Sequence, residues 1–529
     1  MRKLVILALF AIVVLLSGCS QEDDSDLVTI RLWYGAAVTE AGPPPRNWHV
    51  IQKVRDELGI NLRLSALPSS MNDQDVRISA AGAGNNLPDI FMVSRGVLMN
   101  LVNVGLVAPV DTLYDQMPVR SERHYDELSR RFTTIDGRAW GLADPGATPR
   151  NEGLLIRKDW LDALGLDVPV TSDDFMNVMR AFTSGPADWN GNMNTFGFGA
   201  FLENHNVHEG ALGRRFDPLM GAFGVAGTWN LKEEQLGLNI RNPEYFDALS
   251  FVRQMVEERV IDPNWVSHSR DTFRAAWKQG TFGIMREQNA AFAAQNNYRD
   301  FDINFPNGEW IVIDPPVGPN GHQSVGVDTP SFRIYAISTR AMYQGKAAHI
   351  VRLLEWMTSE SYFLFGWGVE GDNFLFDENG VPTVAGIPDP ARGFNRSEMQ
   401  KYTQLRNMVF FNGDVELAAR FPVWTTAAGR QKSAEWVLRD MQSRPWTLNT
   451  GSDALPQPNA DVRRFWEQGI VEFVIGSRTL NRENWDSWLA EFDQIGGAEW
   501  EDTAIAAAKE LGFVQTSSPL TAAIIAQEN

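Results

Sequence analysis

Side chains able to do chemistry are scattered along this chain rather than gathered into signatures. Its seven histidines are His49, His124, His205, His208, His268, His322 and His349. Only His205 and His208 lie close together, and His205-Asn206-Val207-His208-Glu209 lacks the paired-ligand order of a zinc protease, so it reads as a surface loop. One cysteine, Cys19, permits no internal disulfide and no cysteine-built metal site. There is no G-x-S-x-G elbow and no G-x-x-x-x-G-K-[ST] loop, which removes the usual anchors of serine hydrolases and nucleotide hydrolysis. Glu203, Glu287 and Asp144 adjoin expected strands and could serve as acid and base. With 66 acidic residues, though, chance pairs abound, and each of the three also suits a hydrogen-bonding or solvated role. Asp188, Asn190 and Asn192 place side-chain oxygens at alternate positions about Gly191, like the first half of a calcium loop. Its ninth position is Phe196 and its twelfth Gly199, so the ligand set is incomplete; a polar turn is the competing reading, and no cofactor is expected.

Aromatic residues give the positive signal. An aromatic face stacks on the apolar face of a neutral sugar ring, while carboxylate, amide and guanidinium groups bond the hydroxyls at its rim. Trp33 and Tyr34 end the first expected strand, Phe201 ends another, Trp367 sits between Gly366 and Gly368, and Trp424 follows Phe421-Pro422-Val423. Most of the 18 tryptophans must nevertheless be core.

Strand and helix periods alternate around these residues. Val28 to Tyr34 reads as a strand, Trp48 to Leu58 as a helix ending at Gly59, and Ile60 to Leu67 as a second strand. A helix over 73–83 leads into the short apolar strand at 87–93, and three strands joined by helices imply a parallel sheet covered on both faces. Gly153 to Arg157 begins a second unit, Thr171 caps a helix, Thr195 to Leu202 is a glycine-interleaved strand, and Asn242-Pro243 opens a helix running to about Arg259. The proline-rich stretch from Trp310 to Gly321 reads as a crossing rather than core. Helices are expected at 346–359, 461–475 and 481–495, the last stacking Trp485, Trp488, Leu489 and Phe492 as core. The expected fold is α/β, with two discontinuous lobes: 27–142 plus 316–365, and 149–309 plus 366–515. Hinge crossings fall at 143–148 and 310–315, and a tail at 516–529. Ligands of open α/β sheets bind beyond the carboxyl ends of strands, which directs attention to residues located just past them.

A length of 529 residues, 44% of them hydrophobic, supports two large cores and excludes a disordered chain. The net charge of −19 disfavours nucleic acid and anionic lipid as partners. Arg2 and Lys3 precede an apolar run from Leu4 to Leu16, too short to span a bilayer but suited to a signal segment ending at residue 18. Leu16-Ser17-Gly18-Cys19 resembles the bacterial lipobox, in which the cysteine carries lipid and becomes the mature N-terminus. Residues 19–26 then form an acidic tether, and the mature chain is expected outside the cytoplasm, held to the membrane by lipid alone.

With these features in place, the chain resembles the lipoprotein branch of the family 1 extracellular solute-binding proteins of bacterial carbohydrate ABC importers, a group that includes alginate-oligosaccharide-binding proteins. The resemblance rests on the lipobox, on Ala80-Ala81-Gly82 with Leu87-Pro88-Asp89-Ile90, and on the segments 105–111, 153–161, 280–285, 346–359 and 473–480 in that order. It implies a type II periplasmic-binding-protein-like fold whose lobes close over a sugar and present it to a permease, without catalysis. It also implies ligand contact by Trp33, Tyr34, Ser94, Arg95, Asp144, Arg150 and Asn151, by Phe201 and Glu203, by Arg286, Glu287 and Asn289, and by Trp367 and Trp424. Some relatives bind calcium in a D-x-[DN]-G-N loop; here the loop is shortened after Asn192. A monomer is expected. The acidic surface favours a neutral sugar over a uronate, a preference that Arg95, Arg150 and Arg286 could reverse. The runner-up is a secreted glycan-active enzyme using Glu203 and Glu287, and a third class is a peptide-binding adhesin or scaffold.

Overall fold

The computed structural model of the protein describes residues 27–38, 41–69, 71–145, 150–183, 195–202, 207–232, 235–328, 332–411, 413–447 and 455–510. Cys19, the tether, Asp188, Asn190, Asn192, Glu203 and His205 lie outside them. The chain divides into two units. Unit 1 takes the chain through Asp144, then Arg333–Phe376 and Thr383–Phe410; unit 2 takes Pro145–Phe332, Asp377–Pro382 and the chain from Phe411 onward.

Unit 1 opens with β1 (Val28–Tyr34), α1 (His49–Leu58), β2 (Ile60–Ala66), α2 (Met71–Ala83), β3 (Ile90–Val93), α3 (Arg95–Asn103), α4 (Pro118–His124) and β4 (Leu142–Pro145). Helix α1 buries Val50, Val54 and Leu58, one residue per turn, and stops where Gly59 takes φ 67°, a left-handed cap that glycine adopts without strain. β1 alternates buried and half-buried residues, whereas all four residues of β3 are buried, as expected for a strand covered on both faces.

Unit 2 continues with β5 (Glu152–Arg157), α5 (Lys158–Leu164), α6 (Ser172–Thr183), β6 (Phe196–Gly199), α7 (Pro243–Glu257), α8 (Arg270–Lys278), β7 (Phe282–Gln288), α9 (Asn289–Ala293), α10 (Gln295–Asn304) and β8 (Trp310–Ile313). The chain re-enters unit 1 as β9 (Phe332–Ile337), with α11 (Ala347–Thr358) and α12 (Tyr362–Trp367) after it. It ends in unit 2 with the hairpin β10 (Trp424–Thr425) and β11 (Gln431–Lys432), then α13 (Ala434–Gln442), α14 (Ala460–Ile475), α15 (Arg482–Gln494) and α16 (Gly497–Glu510).

The unit 1 sheet has the order β2-β1-β3-β9-β4, with β1 parallel to β2 and β3 and with β9 antiparallel to β3. The unit 2 sheet has the order β8-β5-β7-β6, with β5 antiparallel to β7 and β8 and with β6 parallel to β7. The tryptophans of α14 and α15 are core: Trp485 stacks on Trp488 at 5.0 Å, and both are at most 3% exposed.

Three expectations are corrected. Contacts divide the chain after Asp144 and again at 332/333, and not at 310–315. Trp310–Ile313 is apolar enough to pair along β5, from Trp310 opposite Arg157 to Ile313 opposite Leu154, so it is core and not a crossing. Residues 366–376 belong to unit 1, because the Trp367 ring packs against Phe410 at 5.0 Å and Tyr362 at 5.5 Å. His208 is no surface residue: it is 3% exposed and accepts the Trp229 indole N–H at 2.9 Å.

Candidate functional site

Because β1, β2 and β3 are parallel, their carboxyl ends share one edge of the unit 1 sheet. Trp33, Tyr34, Ser65, Ser94 and Arg95 therefore come together there. Trp33 is half-buried, and the Arg77 guanidinium lies 4.3 Å over its ring, fixed by bonds of 2.8 Å to the Ser65 hydroxyl and to the Ala66 carbonyl. Ser94 Oγ accepts the Val97 N–H and so caps α3, and it donates to Asp75 at 2.9 Å. Burial raises the Asp75 carboxyl above its ordinary range, against hydrogen bonding from Ser94. Tyr34 faces inward, where burial pushes its phenol up to about 12. Arg95 also turns inward and donates to the carbonyls of Phe132 and Thr134.

Asp144 ends the first passage through unit 1 and is wholly buried. Arg120 Nη2 donates to both its oxygens at 2.7 Å, and His124 Nδ1 lies 3.1 Å away. Burial pulls this carboxyl upward, but the Arg120 charge and the His124 bond outweigh it and hold it below its usual value. Burial and then Arg120 lower the His124 imidazole.

In unit 2 the strand pairing brings another group together. Glu152 and Glu287 lie at adjoining ends of β5 and β7, with Arg150 and Asn151 just before β5, Asn289 just after β7 and Phe201 just after β6. Arg150 holds φ 52° and pairs with Asp328 at 2.8 Å, half exposed. The Asn151 carbonyl accepts the Asn289 N–H at 2.8 Å, and the Asn289 side chain donates to the Ala434 carbonyl.

Behind this edge lies a buried ionic network. Arg286 lies 3.1 Å from Glu152 and 3.1 Å from Asp217; Glu287 takes Arg274 at 3.0 Å and Arg215 at 3.4 Å; Arg214 reaches Glu152 at 3.3 Å. The two carboxylates on Arg286 are driven apart. Glu152, despite burial, is held far below its usual range by Arg215, Arg214 and Arg286, whereas burial raises Asp217 to about 6 against the same Arg286. Phe201 is buried with the Arg215 guanidinium 5.0 Å over its ring.

The remaining two aromatic candidates sit in unit interiors. Trp367 is 1% exposed within the Tyr362, Phe363 and Phe410 rings. Trp424 donates its indole N–H to the Ala293 carbonyl at 2.9 Å and packs on Tyr298. Two grooves lie away from the strand ends, one of about 290 Å³ on α14 and α15 and one of about 360 Å³ on α1 and α11. Among the described residues no cluster of three metal-ligating side chains occurs, and no helix is long and apolar enough to cross a membrane.

Sequence reasoning missed Asp75, Arg77, Arg120, His124, Glu152, Arg214, Arg215, Asp217 and Arg274. A signal did exist for some of them: Arg214-Arg215-Phe216-Asp217 sets opposite charges inside an apolar, glycine-rich stretch, where charges must pair if buried.

No family model matches the chain. It is 22% identical over 393 residues to the polygalacturonan/rhamnogalacturonan-binding protein YtcQ of Bacillus subtilis, covering 70% of this chain and 74% of that one. It is 24% identical over 299 residues to the fructooligosaccharide ABC transporter substrate-binding protein FusA of Streptococcus pneumoniae, covering 53% and 52%, and 22% identical over 368 residues to lipoprotein LipO of Bacillus subtilis, covering 68% and 71%. Among solved structures, an HMO-binding ABC-transporter-associated solute-binding protein of Bifidobacterium longum infantis matches with TM-score 0.67 at 15% identity, covering 92% of this chain and 100% of that one. FusA in complex with kestose matches with TM-score 0.64 at 18% identity, covering 91% and 99%. The chain is thus a relative of the sugar-binding substrate-binding proteins and lipoproteins of ABC transporters, and its two α/β units have the fold of extracellular solute-binding proteins.

Proposed function

We propose that this chain is an extracytoplasmic solute-binding protein that captures an oligosaccharide by hinge closure and delivers it, covalently unaltered, to the permease of an ABC importer. The observation that carries the reading is the likeness, over 70% of the chain, to a relative named for polygalacturonan and rhamnogalacturonan binding. A second relative is named for fructooligosaccharide, and these are binding proteins rather than enzymes. The chemistry at the strand ends agrees with it. Trp33 supplies a ring, and Ser94 and Asn151 supply neutral polar groups, all three partly exposed.

Ligand contact is proposed for Trp33 and Ser94 of unit 1 and for Arg150, Asn151 and Glu203 of unit 2, whereas Tyr34, Arg95, Asp144, Phe201, Arg286, Glu287 and Asn289 are buried and support them from within their own units. Trp367 and Trp424 are read as packing residues of their own units. A monomer tethered through lipid on Cys19 completes the reading, and intact-mass measurement of the N-terminal peptide from membranes tests the lipid.

A panel of neutral and uronate oligosaccharides tests the function. Ligand-dependent thermal stabilisation with every glycan recovered intact is the expected result, since a ligand at 100 times its Kd adds about 2.7 kcal/mol to the folded state. Cleaved glycan in the mixture favours the enzyme reading. Stabilisation by extended peptides and by no sugar favours the adhesin.

A further inference from the structure

Apart from the excursion at 377–382, the chain passes between the units at three places, after Asp144, before Arg333 and after Phe410. The first and third are bonded to the same short helix of unit 1, and the second is bonded to the segment that leads into the third. Arg120 and His124 stand one turn apart on α4 and share a face. Arg120 takes both oxygens of Asp144 at the first crossing, and its Nη1 donates at 2.8 Å to the Met408 carbonyl near the third. His124 places Nδ1 3.1 Å from Asp144 and Nε2 3.1 Å from the Val409 carbonyl. Arg333, the first residue to return, donates at 2.7 Å to the Asn407 carbonyl. Helix α4 is itself held by Glu355, whose carboxylate accepts the Val119 and Arg120 N–H groups at 2.9 and 3.0 Å.

Stability alone does not account for this arrangement. Arg120 and Asp144 are fully buried, and apolar side chains of similar volume commonly stabilise a protein as well as a buried ion pair does. What the pair adds is fixed position, and it adds it where the chain changes unit. We propose that Arg120 and His124 are positioning residues that fasten the first and third crossings to one point of unit 1, and through the Arg333 bond to the Asn407 carbonyl the second as well, so that the segments leaving the unit shift together when ligand is captured. Only the last clause rests on the function proposed above.

Hydrogen exchange on the full chain, read by mass spectrometry, tests the fastening without any ligand. In His124→Phe, amide exchange rises at least tenfold, and together, in peptides covering 142–145, 333–337 and 405–411. The control is Ile78→Ala, a cavity in the buried face of α2, which leaves the three peptides within twofold of the parent. His124→Gln retains one donor and falls between the two, and it replaces His124→Phe if that variant does not fold. A rise confined to one peptide, or equal rises in Ile78→Ala, overturns the proposal. With a sugar identified by the panel, His124→Phe binds at least tenfold more weakly than Ile78→Ala; equal affinities overturn the link to capture. A parent protein that binds no sugar overturns the function and leaves the exchange result to decide the fastening.

Discussion

The two units bury charge in different ways. In unit 1 each of two buried carboxylates has one cation: Asp144 has Arg120, with the His124 ring beside it, and Asp89 has Lys346. In unit 2 Glu152, Asp217 and Glu287 share Arg214, Arg215, Arg274 and Arg286, so each carboxylate has more than one partner or competes for one. A one-to-one pair concentrates the cost of any loss on the group left behind, whereas a shared network spreads it.

The largest expected effect tests that contrast directly. Arg120→Met strands a fully buried carboxylate and should lower stability by about 3–5 kcal/mol in denaturant unfolding. A loss below about 1 kcal/mol would mean that Asp144 is not held as described.

Next come two titrations within unit 2. His208 has its imidazole lowered by burial to about 4 from an ordinary 6.5. The unfolded chain then binds the proton more tightly, so stability is full above pH 6.5 and declines as pH falls toward 4, by about 3 kcal/mol. Asp217 runs the other way. Its folded value of about 6 lies above the ordinary 3.8, so its contribution is complete below pH 3.8 and is lost as pH rises through 6, on the order of 3 kcal/mol. Between pH 4 and 6 the two oppose each other, and melting temperatures of Asp217→Asn across that window should show the His208 decline uncovered. An unchanged profile would remove Asp217 from the titrating network.

The network's tolerance is sharpened by Arg274→Met. Glu287 keeps Arg215, and the Arg274 side chain is 26% exposed, so a loss of only about 1 kcal/mol is expected in the same unfolding assay. A cost equal to that of Arg120→Met would erase the distinction between the units. The smallest effect belongs to the unit 1 edge: Trp33→Ala, which takes the ring from under Arg77, should weaken sugar affinity by about 1 kcal/mol by calorimetry with folding intact.

Much of the fold was legible because its signals are local. The alternation of Val28–Tyr34, the stop at Gly59 and the Asn242-Pro243 start each lie within one element and match the structure. Trp310–Ile313 escaped notice because four apolar residues beside a proline-rich loop carry no period to read. Trp33, Tyr34 and Phe201 were expected at strand ends from the strand pattern, whereas Ser94, Arg95, Arg150, Asn151 and Asn289 were singled out by the resemblance alone. Their partners were not, because a buried ion pair joins residues far apart in sequence. Arg215 and Glu287 are separated by 72 positions in the chain, and no spacing rule connects them.

The sheet order β2-β1-β3-β9-β4 bears on how the protein is made. β9 is the strand between β3 and β4, yet nearly two hundred residues of unit 2 are synthesised after β4 before it emerges. Until then β3 and β4 each present a bare edge, the kind of surface on which nascent chains aggregate. The unit 1 sheet therefore cannot be completed until β9 has been made, and its central edges stay open through the whole synthesis of that intervening stretch.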